Sequence, residues 1–346
     1  MEIPIYNIYY LLCYAWNKLE ERDIVNIKGI ETTKLCDLFA KVLIGGTSRL
    51  LKMGLDRGYV QQNHEIGGIK GKIDFSISIK KNIFQKGKAQ CQFDELSYNI
   101  LHNQILKSTI FHLAKIDELS PDLKRKLYDL YRRLSEIGNI NLKKSVFRRV
   151  QLHRNNNFYD FLLKICELIV DNLLPTEDKG HSKFRDFVRE EHQMSQLFED
   201  FVRNFYKLEQ SIYQVYREDI SWDITDGNET SKNFIPKMKT DVSLESKDKK
   251  IVIDTKYYKE ALTQHFDKEK IKSENMYQIF SYLKNLESSN EINRNCAGIL
   301  LYPTVTYKFD INITVHGHQI SFKTINLNQD WQNIHKDLLA IIGLPN

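Results

Sequence analysis

The sequence predicts an α+β chain of two domains: a mixed helical N-terminal domain carrying a small β insert, then a C-terminal α/β domain. Three observations lead there. Helical apolar periodicity dominates the first half, and a glycine-punctuated, alternating stretch interrupts it near residues 59–93. From about residue 234 onward, short apolar runs alternate with helical segments. At 346 residues the chain exceeds what one small core needs, and the expected division is 1–155 against 156–346.

Residues 5–16, rich in Tyr and Leu, read as an amphipathic helix, and residues 33–51 as a second. Gly67, Gly68, Gly71 and Gly87 break the next stretch into short strands. Helical spacing returns over 96–137, with Ser120-Pro121 as N-cap and first-turn pair ahead of Leu123, Leu127, Leu130 and Leu134. A helix over 158–174 is stopped by Pro175, and residues 190–208 put Met194, Leu197, Phe198, Phe201, Val202 and Phe205 on one face. Residues 234–244 and 251–258 read as an antiparallel hairpin about a polar turn at 246–250. A helix over 268–286 follows, then a buried strand over 297–302 ended by Pro303. A hairpin of 311–315 with 320–327 and a closing helix over 329–342 complete the order.

No stretch approaches the ~18 uncharged apolar residues of a membrane span, and no secretory leader is evident, so a cytoplasmic site without membrane contact is expected. Cys13, Cys36, Cys91, Cys166 and Cys296 are scattered without a CxxC pair, which fits reduced structural thiols. His316-Gly-His318 lacks a third ligand and reads as a surface pair beside a turn. A net charge of +5 permits nucleic-acid binding without demanding it.

Asp254 and Lys256 lie two apart on a strand and therefore share a face. Reflecting Asp254 through the turn centre, between Lys247 and Asp248, lands on Asp241, so a symmetric hairpin makes the two aspartates cross-strand neighbours ~5 Å apart. Two carboxylates this close repel unless a proton or cation intervenes, and hard oxygen ligands suit Mg²⁺ or Mn²⁺. Asp241, Asp254 and the carbonyl of Thr255 are the expected metal ligands, with Lys256 the cation beside the attacking water and phosphate. Gln278 and Tyr282, four apart on the next helix, share a face that can approach the hairpin.

The pattern Asp241, Asp254-x-Lys256, Gln278-x-x-x-Tyr282 resembles the PD-(D/E)xK nuclease superfamily, in its branch with a Gln-x-x-x-Tyr helix. The resemblance implies a restriction-endonuclease-like domain with a central mixed sheet flanked by helices, and it makes Glu199 the candidate glutamate of the preceding helix. The proline usual before the first aspartate is missing: Lys239-Thr240 precede Asp241, and Pro236 lies upstream. Over nearly its whole length the chain also resembles the McrC family, the endonuclease subunits of 5-methylcytosine-dependent restriction systems. The matching residues are Asn7-Ile-Tyr-Tyr-Leu-Leu-Cys-Tyr-Ala-Trp16, Gly68-Ile-Lys-Gly-Lys-Ile-Asp-Phe75, Phe93-Asp-Glu-Leu96, Asn103-Gln-Ile-Leu-Lys-Ser-Thr109, Thr240-Asp241, Asp254-Thr-Lys-Tyr-Tyr258, Leu300-Leu-Tyr-Pro303 and the Trp331 segment.

That resemblance implies a DNA-cutting subunit acting with an oligomeric AAA+ partner, which binds GTP, recognises the modified base and moves double-stranded DNA. Gly68-Ile-Lys-Gly-Lys72 and Ile44-Gly-Gly-Thr-Ser48 do not fit GxxxxGK[ST], so GTP is expected on the partner and not on this chain. The N-terminal domain is then the partner-facing part. Its insert carries Lys70, Lys72, Lys80, Lys81, Lys86 and Lys88 against Asp74 alone, a cationic excess suited to the partner, to DNA, or to a solvated edge that resists aggregation. Lys143, Lys144, Arg148, Arg149 and Arg154 form a second basic run, equally suited to partner or DNA backbone. Two other functions stay open: a stand-alone RecB-like or junction-cleaving nuclease, and a non-catalytic activator of the AAA+ ring that only grips DNA.

Overall fold

Apolar faces dictate the packing throughout, and they sort into two compact units. The computed structural model describes residues 3–20, 34–153, 156–175, 182–185, 188, 190–226, 234–258, 272–289, 291–305 and 310–344. One unit joins Met1–Asp23 and Ile27–Thr33 to Asp186–Asn346; the other comprises Ile24–Asn26 and Lys34–Arg185. The division therefore does not follow a cut at residue 155. Helix α1 (Ile5–Ala15) packs on α8 (Glu191–Glu209) of the C-terminal unit, while α7 (Asn157–Asn172) packs with helices of the other. Asn7 explains the first assignment: its buried amide donates to the carbonyls of Leu327 at 2.7 Å and Gln329 at 2.9 Å. Tyr10 and Tyr14 stack on Trp331 in the same unit.

In the helical unit, α2 (Leu35–Met53), α4 (Leu101–Ala114), α5 (Pro121–Arg133) and α7 pack through their leucine faces, with the short α6 (Lys144–Phe147) against α7. Ser120 holds the N-cap position before Pro121, but its hydroxyl makes no cap bond; its N–H instead donates to Asp37 at 3.1 Å. The insert is a sheet of order β1-β3-β2, from β1 (Gly58–Gly67), β2 (Lys72–Ile73) and β3 (Lys88–Ser97). It is longer than 59–93 and less purely β, because α3 (Phe75–Lys80) sits within it, N-capped by Asp74 accepting from Ile77 N–H at 2.9 Å. Gly71 is required there: φ is +67° and an added Cβ would meet the Gln92 carbonyl at 2.3 Å. After α7 the chain pairs β4 (Leu173–Pro175) with β5 (Ser182–Phe184), so Pro175 ends a strand and not the helix itself.

The other unit is built on a six-stranded sheet of order β12-β13-β11-β10-β9-β6. Its strands are β6 (Gln214–Tyr216), β9 (Val242–Glu245), β10 (Lys250–Thr255), β11 (Ala297–Thr304), β12 (Asp310–Val315) and β13 (His318–Asn326). The sheet is mixed: β10, β11 and β13 run parallel, and the outer pairings are antiparallel. Helix α9 (Ser273–Leu286) covers the face of Val252, Leu300, Ile320 and Phe322 with Ile279 and Leu283. Its close approach rests on Gly298, where a Cβ would stand 2.8 Å from Ile279. Ile251, Ile253, Leu301 and Ile325 are buried on the other face, where α8 and α10 (Trp331–Ile341) contact the strands.

Three expectations change here. Residues 234–244 are not one strand: β8 (Met238–Lys239) pairs with β7 (Asp219–Ile220), and Thr240–Asp241 break the chain before β9 joins the large sheet. Lys250 is no turn residue; it opens β10, 2% exposed, with Nζ 2.9 Å from Glu218. Pro303 does not end β11, which runs on opposite β13 to Thr304. It is tolerated because pairing with β10 stops at Leu301, so that side of Pro303 needs no donor. Residues 268–271 of the expected 268–286 helix lie outside the described residues.

Candidate active site

The β9–β10 register pairs Ile253 with Val242, and continuing it one step sets Asp254 across from Asp241. The mirror placement read from the turn therefore agrees with the ladder. Asp241, however, lies in the break before β9, and its Oδ2 accepts from the Thr255 N–H at 2.7 Å and the Thr255 hydroxyl at 2.8 Å. The segment leading to it is clamped: the Thr240 N–H donates to the Glu218 carbonyl at 3.0 Å, and the Thr240 hydroxyl accepts from the Glu218 N–H at 3.0 Å. Arg203 Nη1 reaches the Asp241 carbonyl, and Arg217 Nε the Thr240 carbonyl, each at 3.3 Å.

Asp254 is 1% exposed; Oδ1 has no hydrogen-bond partner among the described residues, and Oδ2 meets the Lys256 ammonium at 2.8 Å. Burial first, then the nearby Asp241 charge, pushes the Asp254 carboxyl up to about 7 against the opposing pull of Lys256. Lys256 Nζ also donates to Gln278 Oε1 at 2.7 Å; the Gln278 amide donates to Tyr282 Oη at 2.7 Å, and Tyr282 donates to the Lys239 carbonyl at 2.9 Å. This relay fixes the lysine and ties α9 to the strand that feeds Asp241. Burial raises the Tyr282 phenol to about 12, so it remains a donor.

Glu199 stands close enough to act on Asp254, yet its Oε1 is taken by Arg203 at 3.0 Å and Arg217 at 2.6 Å. Burial, then Asp241, raises its carboxyl. Among the described residues no group of three His, Cys, Asp or Glu side chains converges as a metal cage. The donor set nonetheless fits a hard divalent cation, because the buried Asp254 Oδ1 and the Asp241 Oδ1 are both without a hydrogen bond among those residues. Such a cation takes its remaining ligands from water and backbone carbonyls.

The basic runs are partly neutralised by acids the sequence count placed outside them. Lys70 pairs with Glu95 and Lys88 with Glu65, each at 3.5 Å, leaving Lys72, Lys80, Lys81 and Lys86 without an ion pair among the described residues. Lys144 pairs with Asp171 at 3.0 Å, so the second run does face an acid; Lys143, Arg148 and Arg149 have no ion pair among the described residues, and Arg154 lies outside them. His318 is no surface residue: fully buried, it binds Glu287 at 2.7 Å and the Cys296 carbonyl at 2.9 Å. All five cysteines are buried and outside any disulfide.

Sequence reasoning missed Arg203, Arg217 and Glu218. Arg203 was within reach of it, four residues after Glu199 on one helix. Arg217 and Glu218 carry no local signal, since their partners lie 18 to 32 residues away.

A mixed sheet with helices on both faces, and Asp254 at the end of a central strand beside the lysine that α9 holds, make this unit an α+β domain with a nuclease-like fold. A family model described as McrBC 5-methylcytosine restriction system component matches residues 7–303, and the chain belongs to that family. It is 35% identical over 339 residues to a protein of Escherichia coli (strain K12), the Type IV methyl-directed restriction enzyme EcoKMcrBC, covering 98% of this chain and 97% of that one. A chain of the solved assembly of Thermococcus gammatolerans McrB AAA+ hexamers with bound McrC shares the fold, at a TM-score of 0.61 and 16% identity, covering 98% of this chain and 76% of that one. Among the described residues no helix is long and apolar enough to cross a membrane.

Proposed function

We propose that the chain is the DNA-cutting subunit of a GTP-driven, modification-dependent restriction complex of the cytoplasm. It hydrolyses phosphodiester bonds of double-stranded DNA and stimulates the GTPase of an AAA+ partner that binds the GTP. The observation that carries the reading is the buried Asp254 carboxylate, met among the described residues by no donor but a lysine that a glutamine and a tyrosine hold in place. Family membership supports the setting. The Escherichia coli relative carries the name of a methyl-directed restriction enzyme, and the Thermococcus gammatolerans assembly joins McrC to AAA+ hexamers.

Asp241, Asp254 and the Thr255 carbonyl would hold Mg²⁺ or Mn²⁺, which when bound supplies Lewis-acid activation of water and neutralises charge on the phosphate. The remaining work falls to side chains. Thr255 orients Asp241 through two hydrogen bonds, so the carboxylate spends little entropy on ordering. Lys256, held between Asp254 and Gln278, places its side-chain nitrogen where negative charge develops on the attacked phosphate. Gln278 and Tyr282 keep that nitrogen aimed; they position and do not react.

The test is cleavage of a methylated plasmid by the full chain, with and without partner and GTP. Cutting that needs all three components supports the reading. Efficient cutting by the chain alone identifies a stand-alone nuclease, and GTPase stimulation without cutting identifies an activator.

A further inference from the structure

Three cations touch the carboxylates of the site. Lys256 is held by Asp254 and Gln278, and Arg203 by Glu199, Asp200 and the Asp241 carbonyl; their side chains are 17% and 19% exposed. Arg217 differs. Its side chain is 48% exposed, although Nη2 lies 2.6 Å from Glu199 and Nε 3.3 Å from the Thr240 carbonyl. Those two contacts use two of the five N–H donors of a guanidinium, leaving a half-open edge with three. The Thr240 contact fixes that edge one peptide unit from Asp241. Arg217 also acts electrostatically on both Glu199 and Tyr282, which line the same site.

A polyanion approaching Asp241, Asp254 and Glu199 meets repulsion unless a cation with free donors stands on its path. A guanidinium fork matches two phosphate oxygens at once, and its bidentate geometry sets distance as well as charge. We propose that Arg217 is the residue that anchors a DNA backbone phosphate at this site, its inner edge braced by Glu199 and Thr240 and its outer edge turned to the nucleic acid. The proposal rests on the DNA-cutting reading and deepens it, since it assigns which side chain receives the strand. Glu199 then serves as the brace that keeps the guanidinium planar to the incoming phosphate.

The test uses the full chain on a fluorescent duplex oligonucleotide, with Ca²⁺ replacing Mg²⁺ and strand integrity checked on a gel. Binding is measured across a salt titration. Arg217→Ala should lower the slope of log affinity against log salt by about 0.9, the share of one phosphate contact, and weaken binding about eightfold near ~0.1 M salt. Arg217→Lys keeps the charge, so it should restore the slope while recovering only part of the affinity. That pair of variants also separates lost contact from lost folding. An unchanged slope in both, with only the melting temperature moved, makes Arg217 a structural brace and overturns the proposal while leaving the nuclease reading intact. No DNA binding by the unaltered chain, alone or with its partner, overturns both.

Discussion

The Asp254 corner and the β insert depart from ordinary protein surfaces in opposite directions. At the corner a carboxylate is buried with a single lysine for partner among the described residues, and that lysine is held by a relay of three hydrogen bonds. On the insert, apolar side chains stand in solvent: Ile69, Phe75 and Ile79 are 76%, 61% and 66% exposed, and Lys72, Lys80, Lys81 and Lys86 have no ion pair among the described residues. Burying a charge costs free energy that only chemistry or a cation repays, and an exposed apolar patch is retained where a partner covers it. On the proposed reading, the same chain separates reaction from recognition by where it accepts an unfavourable environment. The two regions also fall in different compact units, so changes in one can leave the other folded.

Breaking this contrast at its strongest point, Asp254→Ala should reduce plasmid cleavage by about 10³-fold or more, as loss of a metal-holding carboxylate does. Stimulation of the partner's GTPase should persist. If both fall together with unchanged melting, the separation is wrong. The reverse change is the double variant Phe75→Ser, Ile79→Ser, expected to weaken partner binding by about 2 to 4 kcal/mol. Titration calorimetry against the partner ring measures it. Because both positions are exposed, chain stability should move by less than about 0.5 kcal/mol.

The pH dependence sharpens the account of the corner. The folded carboxyl of Asp254, at about 7, lies above its ordinary 3.8, so the proton it holds stabilises the cation-free fold. That contribution is complete below the ordinary value and is lost as pH rises through about 7. Divalent affinity should run the other way, rising up to about tenfold per pH unit and levelling above neutrality. Mn²⁺ titrations followed by electron paramagnetic resonance check this, and Asp254→Asn should flatten the stability profile. The smallest effect is expected from Tyr282→Phe, which removes the hydrogen bonds from Gln278 and to the Lys239 carbonyl, about 1 kcal/mol each. Cleavage should slow about fivefold; wild-type rates would show that the relay ends at Gln278.

Much of the corner was legible in the sequence. A short hairpin fixes its register by its turn, so Asp241 could be placed opposite Asp254 by reflection, and helical spacing aligned Gln278 with Tyr282. The break at Thr240–Asp241 was hidden because Met238-Lys239-Thr240-Asp241-Val242 alternates like a continuous strand. What divides it is Glu218, which clamps Thr240 from a distant segment. Lys250 read as a turn residue for the same reason: its partner, Glu218, lies far back in the chain.

The sequence by itself determined the α+β class, the order of the main elements, the carboxylate and lysine constellation and the resemblance to a restriction family. Each follows from local periodicity, turn symmetry or residue type, which neighbours in the chain suffice to set. Only the tertiary structure decided that α1 belongs with the C-terminal unit, that Glu199 is tied to two arginines, and that Arg217 keeps an open edge beside Asp241. Those depend on packing between segments remote in sequence, where burial and charge pairing among several elements select one arrangement from many that the local patterns allow.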